Sequence, residues 1–352
     1  MAEDLWEPDF DRLLTVLRLQ GEPDRVPFFD LFFDWHVAEP LLGRPMPPDP
    51  HASLQYQVDF MAAAGYDFVV GRSGFGFPGR VNLISEDTAT RGSGKRGWRD
   101  ESHGPIESRE DFERYEWPEV SDEGFAGLES MGGLLPDGMK VIPVLPNGPL
   151  ENLIGLMGYE PLCYALADDP ELVQALADRI GAAELELYRR YCQYDFVGAL
   201  ALNDDLGFKT QTMIGPEDLR RYIFPWYRRM IALAHEHGRP VILHACGNCS
   251  EIWEDLIEEC RIDAKHSFED VIEPVAEFKR RWGERCAAMG GVDVDILSRG
   301  TEEQVREYTR RVIHQCMPGG GWALGTGNSV TNYIPMDNYY AMLDEGRRHG
   351  VY

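Results

Sequence analysis

Residues 241–252 read "VILHACGNCSEI", with His244 and Cys246 two apart at the end of an apolar run. In an extended strand residues i and i+2 point to the same side, so the imidazole and the thiol share a face. A nitrogen and a thiolate placed in this way can hold one Zn²⁺ at ~2.0–2.3 Å, and a catalytic zinc takes three protein ligands and leaves a fourth position open. The pair supplies two. The third could come from Cys249, three residues on, or from Asp205, Glu269 or His266. Without a metal the pair reduces to a hydrogen-bonded histidine at a strand end and a small buried thiol.

Eight short β-rich runs recur along the chain, and "RPVILHACG" (239–247) is one of them. The others are "RVPFFDLFF" (25–33), "YDFVVGRSG" (66–74), "MKVIPVLPNG" (139–148), "FVGALALNDDLG" (196–207), "DAKHSFED" (263–270), "CAAMGGVDV" (286–294) and "GWALGTGNS" (321–329). Each opens apolar and ends polar or glycine-rich. Between them lie stretches with apolar residues at helical spacing, such as 170–193, 215–238 and 301–316. The second opens on Pro216 and stops at Gly238; the third opens on Thr301 with Gln304 three residues later, the pattern of a capping box. Eight strands with helical returns predict a single α/β domain over 1–352, a (β/α)₈ TIM barrel. A doubly wound open sheet is the alternative. The surplus length lies at about 72–137, after the second run, and is expected to be an excursion with a hairpin or two over the barrel mouth.

A barrel places its chemistry at the C-terminal ends of its strands. Read in order, those ends carry Asp30 and Asp34; Asp67 and Arg72; Asn147 and Glu151; Asn203, Asp204 and Asp205; His244 and Cys246; His266 and Glu269; Asp293 and Asp295; and Asn328. So many ionisable groups on one rim point to an enzyme. Asp204, Asp205, Glu269 and Asp67 are the candidates for catalysis or for orienting the histidine and the substrate. Asn147, Glu151, His266, Asp293 and Asn328 would shape the substrate pocket.

The net charge of −26 argues against nucleic acid, because phosphate binding needs clustered Lys and Arg. The best basic cluster, 227–239, reads as one solvated helix face. No run of 18 apolar residues is present, so no membrane span is expected. The N-terminal "MAEDLWEPDF" does not resemble a secretory signal, and seven scattered cysteines fit a reducing cytoplasm.

From "RVPFFD" onward the chain resembles the uroporphyrinogen decarboxylase superfamily. The likeness rests on "DDLGFKTQTMIGPEDLRRYIFPWYRRMIALAHEHGRPVILHACGN" (204–248), "GGVDVDIL" (290–297) and "PGGGWALGTGNSVTNYIPMDNYYAML" (318–343), with 72–137 matching least. It implies a (β/α)₈ barrel. The motif is closest to the corrinoid-linked methyltransferase branch, whose H-x-C-G element binds zinc through residues that map onto His244 and Cys246. That branch takes its third ligand from a cysteine where this chain has Asn328, and asparagine is a poor zinc ligand. The decarboxylase branch carries arginines just after the first strand; here that stretch is "PFFDLFFDWHVAEPLLGRP". Asp67 falls where the decarboxylase branch has its substrate-organising aspartate. The resemblance implies methyl transfer between a corrinoid protein and a small acceptor, assisted by zinc. No "D-x-H-x-x-G" element occurs, so the corrinoid would ride on a separate protein; a homodimer is also expected. The alternatives are a decarboxylase or lyase using the rim carboxylates, and a non-catalytic small-molecule binder.

Overall fold

The computed structural model describes residues 4–79, 82–85, 96–99 and 102–352. Nine strands are present among these residues: β1 (Phe68–Gly71), β2 (Asn82–Ser85), β3 (Arg96–Arg99), β4 (Lys140–Pro143), β5 (Leu200–Asn203), β6 (Val241–His244), β7 (Ala264–His266), β8 (Ala287–Met289) and β9 (Trp322–Ala323). β5 to β9 pair in sequence order, all parallel, and β1 pairs parallel with β4. Bridges Val141↔Val197 and Val144↔Ala201 join β4 to the β5 segment. The first run, 25–33, is held by single parallel bridges, Phe28↔Leu324 and Phe33↔Val330, on the outer side of β9. The order is therefore first run, β1, β4, β5, β6, β7, β8, β9 and back to the first run, the circle of a TIM barrel. "FVVG", "VILH" and "AAM" are buried at every position, because helices cover one side and the barrel interior fills the other.

One seam is closed differently. Among the described residues no backbone ladder joins the first run to β1; side chains do it. Phe29 packs on Phe68 at 5.2 Å between ring centres, and the Tyr66 hydroxyl donates to Asp30 Oδ2 at 2.6 Å. Asp30 Oδ1 accepts from both the amide and the hydroxyl of Thr326, at 2.9 and 2.6 Å, just past β9. Tyr66 also meets the hydroxyl of Tyr339, on the C-terminal helix Met336–His349. Asp30 thus ties the first run, β1, the β9 loop and that helix together. It is wholly buried, and burial pushes its carboxyl up to about 6 against the pull of its hydrogen bonds.

Asp67 departs from expectation. The strand begins at Phe68, after it, so Asp67 lies at the N-terminal face, opposite the rim. There Arg25 Nη2 holds its Oδ1 at 2.7 Å and Arg12 Nη1 at 3.2 Å, with all three side chains buried. Arg25 also donates to the carbonyls of Leu5 and Gly65 and stacks on Trp6 at 4.6 Å. This is a structural clamp on the chain entry.

Pro170–Tyr191 and Glu302–Cys316 are helical as expected, the latter with both bonds of the Thr301–Gln304 capping box. The segment 215–238 is not one regular helix. A π turn at Leu219–Ile223 separates Pro216–Asp218 from Phe224–Glu236. Pro225 accounts for this, since it has no N–H to give to the preceding turn. In the excursion, β2 and β3 form an antiparallel hairpin, and the helix Ala126–Gly132 follows. The remainder of "VNLISEDTATRGSGKRGWRDESHG", at 81, 86–95 and 100–101, lies outside the described residues. Among the described residues no helix is long and apolar enough to cross a membrane.

Two measurements test these clamps. Arg25→Met leaves the Asp67 charge buried and half-paired; the urea midpoint should fall by the equivalent of about 3–5 kcal/mol. Asp30 gives a signed pH effect. Its folded pKa lies above the ordinary 3.8, so the folded state binds the extra proton and this contribution weakens the fold as pH rises from about 4 to 6. Asp30→Asn can keep the contacts, accepting from Thr326 and donating to Tyr66. Its stability advantage over the parent should open between pH 4 and 6, to on the order of 3 kcal/mol, and stay level above.

Candidate metal centre

The site is set by two neighbouring strands in register. Asn203 pairs with His244 across β5 and β6, and the pairing continues past both strand ends. The Asp204 amide donates to the His244 carbonyl at 2.9 Å, and the Gly207 amide to the Cys246 carbonyl at 3.1 Å. The loops then touch backbone to backbone. Gly247 has φ +82°, and a Cβ there would stand 1.9 Å from the Gly207 oxygen. Only a glycine fits on both counts. The crossing brings Asp205 Oδ1 to the Cys246 amide at 2.9 Å.

Three ligand atoms converge as a result. Cys246 Sγ lies 3.6 Å from His244 Nε2, which lies 3.9 Å from Asp205 Oδ1. The sulfur, nitrogen and oxygen atoms all fall within 4.8 Å of one another. One thiolate, one imidazole and one carboxylate make a donor set that suits zinc and leaves a fourth position open. Asp205 is the group the structure brings to the pair. Cys249 is buried and lies outside this cluster, and Glu269 is exposed.

His266, the last residue of β7, stands behind His244, with the two Nδ1 atoms 2.7 Å apart. One of them must carry the proton. If His244 offers the Nε2 lone pair to a cation, its Nδ1–H donates to His266, whose own proton then sits on Nε2. That Nε2 is buried and has no hydrogen-bond partner. Burial, with the Lys265 charge adding to it, pulls His244 down to about 4, although Asp205 pulls the other way; His266 is lowered as well. Both rings are therefore neutral, the form that binds metal.

Burial and the neighbouring Asp205 push the Cys246 thiol up, opposed by hydrogen bonds from Ser267 and Asn328. Asn328 Nδ2 lies 3.2 Å from the sulfur and 3.3 Å from Ser267 Oγ, which is itself 3.6 Å from the sulfur. Asn328 is thus a hydrogen-bond donor to the Cys246 sulfur. Ser267 holds φ +85°, a left-handed strain for a residue with a side chain. Phe32 packs edge-on against His244 at 4.9 Å and walls the site with apolar surface.

The other candidates divide. Asp204 turns away from the mouth. It accepts the amides of Leu150 and Glu151, at 2.9 and 2.7 Å, and the Tyr227 hydroxyl at 2.7 Å. It therefore caps the helix Pro149–Met157 from outside, where Gly148 leaves room for it; burial pushes its carboxyl up to about 7. That helix carries Glu151, whose Oε2 accepts from Asn203 at 3.1 Å. Asn147 precedes it with φ +69°. Asp293 is engaged as the N-cap of Val294–Arg299 and accepts the Asp270 amide. Glu269, Asp293, Asp295 and Asn328 line one cavity of 780 Å³ together with Val271 and Tyr333. The sequence did not single out Ser267 or Phe32. Their place at alternating positions beside marked residues is the signal that could have found them.

The family profile "Uroporphyrinogen decarboxylase (URO-D)" matches residues 102–349, well over half of the chain, and the chain belongs to this family of enzymes. It is 29% identical over 131 residues to the uroporphyrinogen decarboxylase of Cupriavidus necator, a match covering 35% of this chain and 35% of that protein's length. A methyltransferase from Methanosarcina mazei has a similar structure, with a TM-score of 0.71, 16% identity, and coverage of 96% of this chain and 97% of the other. At that identity the likeness bears on the fold alone, and it agrees with the barrel described above.

Gly247→Ala tests how the site is held. The new Cβ meets the Gly207 oxygen and must sit at positive φ, so the loops should part and the fold lose about 1–3 kcal/mol. Thermal unfolding measures that loss. A variant as stable as the parent would show that the crossing is not needed.

Proposed function

We propose that this chain is a zinc-dependent methyltransferase that moves a methyl group between a corrinoid, carried by a separate protein, and a small acceptor. The observation that carries the reading is the convergence of Asp205, His244 and Cys246 within 4.8 Å at the mouth. These three would hold the zinc. When bound, it lowers the pKa of a thiol or water acceptor, giving an anionic nucleophile near neutral pH.

The chain's own residues do the rest. His266 fixes the ring of His244 through the 2.7 Å contact between their Nδ1 atoms. Ser267 and Asn328 steady the Cys246 sulfur by hydrogen bonds. Phe32 keeps water from the imidazole. The 780 Å³ cavity beside Asn328 gives the acceptor and the partner protein access to this rim. A decarboxylase acting on a tetrapyrrole with eight carboxylates would want several arginines here. Within three residues after β1 and each of β4 to β9, Arg72 is the one cation.

The test is metal content by mass spectrometry, parent beside Cys246→Ser, followed by transfer of methyl from methylcobalamin to a simple thiol. About one zinc per chain in the parent, lost in the variant together with transfer, is the expected result. A parent without zinc after exposure to it sinks the metal reading. Zinc without methyl transfer sends the question back to the decarboxylase and the non-catalytic binder.

A further inference from the structure

Arg72 follows directly on β1, at the same face of the barrel as Asp205, His244 and Cys246. In a chain of charge −26 an arginine finds a carboxylate easily. Arg72 has not. Among the described residues no hydrogen bond or ion pair holds its guanidinium, and the cause acting on its pKa is desolvation by its surroundings, with no carboxylate contributing. The side chain is nonetheless exposed enough to meet a ligand.

Its position connects two places. The guanidinium lies over the ring of Phe32 at 5.7 Å, and Phe32 is 4.9 Å from the ring of His244. Laid end to end, these separations put Arg72 within about 11 Å of the candidate metal ligand. On its other side Arg72 lines a cavity of 330 Å³ with Leu31, Phe33, Trp35, Val70, Leu128 and Met131. This cavity lies along the seam where the first run and β1 are joined by side chains rather than by a ladder.

A guanidinium offers a planar fork that matches a carboxylate in two parallel hydrogen bonds, and apolar walls strengthen the pair by excluding water. A fork that no described residue pairs, at the edge of a cavity walled largely by aliphatic and aromatic side chains with Gln57 among them, is half of such a pair. We propose that Arg72 anchors the substrate by an oxyanion, so that the substrate is a small carboxylate with an apolar body, its carboxylate on Arg72 and its reacting end directed past Phe32 to the metal centre. This rests on the metal centre being the reacting site. Arg72 then sets specificity by charge, and the seam cavity by shape.

The experiment is calorimetric titration of the zinc-loaded protein with benzoate and with benzamide, its neutral counterpart, on the parent, Arg72→Met and Arg72→Lys. Arg72 is exposed, so both variants should fold; equal unfolding temperatures check this. The expected result is benzoate binding weakened roughly tenfold or more in Arg72→Met and partly kept in Arg72→Lys, with benzamide bound weakly by all three. Equal benzoate affinity in parent and Arg72→Met overturns the proposal, as does a parent that gives no benzoate signal. Zinc measured on the same samples separates the two readings. Zinc present with binding indifferent to Arg72 removes the anchor alone. Zinc absent with binding still dependent on Arg72 removes the metal mechanism and leaves the anchor.

Discussion

The site depends on one close approach, the backbone crossing of the β5 and β6 loops at Gly207 and Gly247. Strand register places Asn203 opposite His244, and the crossing carries that register two residues further. Asp205 then meets the Cys246 amide, and the carboxylate is aimed at the same point as the imidazole and the sulfur. A side chain at position 247 would hold the loops apart and turn three convergent groups into a pair and a stray acid. The fixed parts are backbone, so the ligand atoms lose little freedom when they come together.

A second layer keeps the first in place. His266 and Ser267 come from β7 and the turn after it, and Asn328 comes from the loop after β9. His266 meets the imidazole at Nδ1, away from the Nε2 nearest Asp205, and Ser267 and Asn328 reach the sulfur by hydrogen bonds. Asp204 faces away and fixes the helix Pro149–Met157 by its first amides, which brings Glu151 against Asn203. Two adjacent aspartates therefore do different work because strand alternation sends their side chains to opposite sides. Asp205 faces the mouth, and Asp204 builds the wall that supports it.

Much of this was legible in the sequence, and the limits have physical causes. Apolar runs that end polar gave the eight barrel positions, because a strand buried on both sides has no polar face to show. His244 and Cys246 were visible through their two-residue spacing. Asp205 stood in the sequence only as one of four candidates for a third ligand, because it follows another strand and its approach depends on a register that spacing cannot express. Asp67 misled because its run was counted from Tyr66, whereas the strand starts one residue after the aspartate; the neighbours that occupy it, Arg12 and Arg25, are 55 and 42 positions away. The seam at the first run was equally hidden, since "RVPFFDLFF" has the composition of a strand and bridges to the β9 side, yet meets β1 only through side chains among the described residues.

The resemblance to the corrinoid-linked methyltransferase branch implies a cysteine ligand at the position of Asn328, and Asp205 changes what that substitution would mean. A site of two thiolates and one imidazole carries two negative charges, and so does one of a thiolate, a carboxylate and an imidazole. Either set neutralises a divalent cation. The exchange therefore preserves charge while replacing a soft donor with a hard one, which gives up less electron density to the cation. A zinc held in this way would be the stronger Lewis acid and would lower the pKa of its fourth ligand further. Asn328, which would not coordinate in such a site, donates to the Cys246 sulfur at 3.2 Å. That hydrogen bond favours the thiolate on the one soft ligand left, the form a cation at this centre requires.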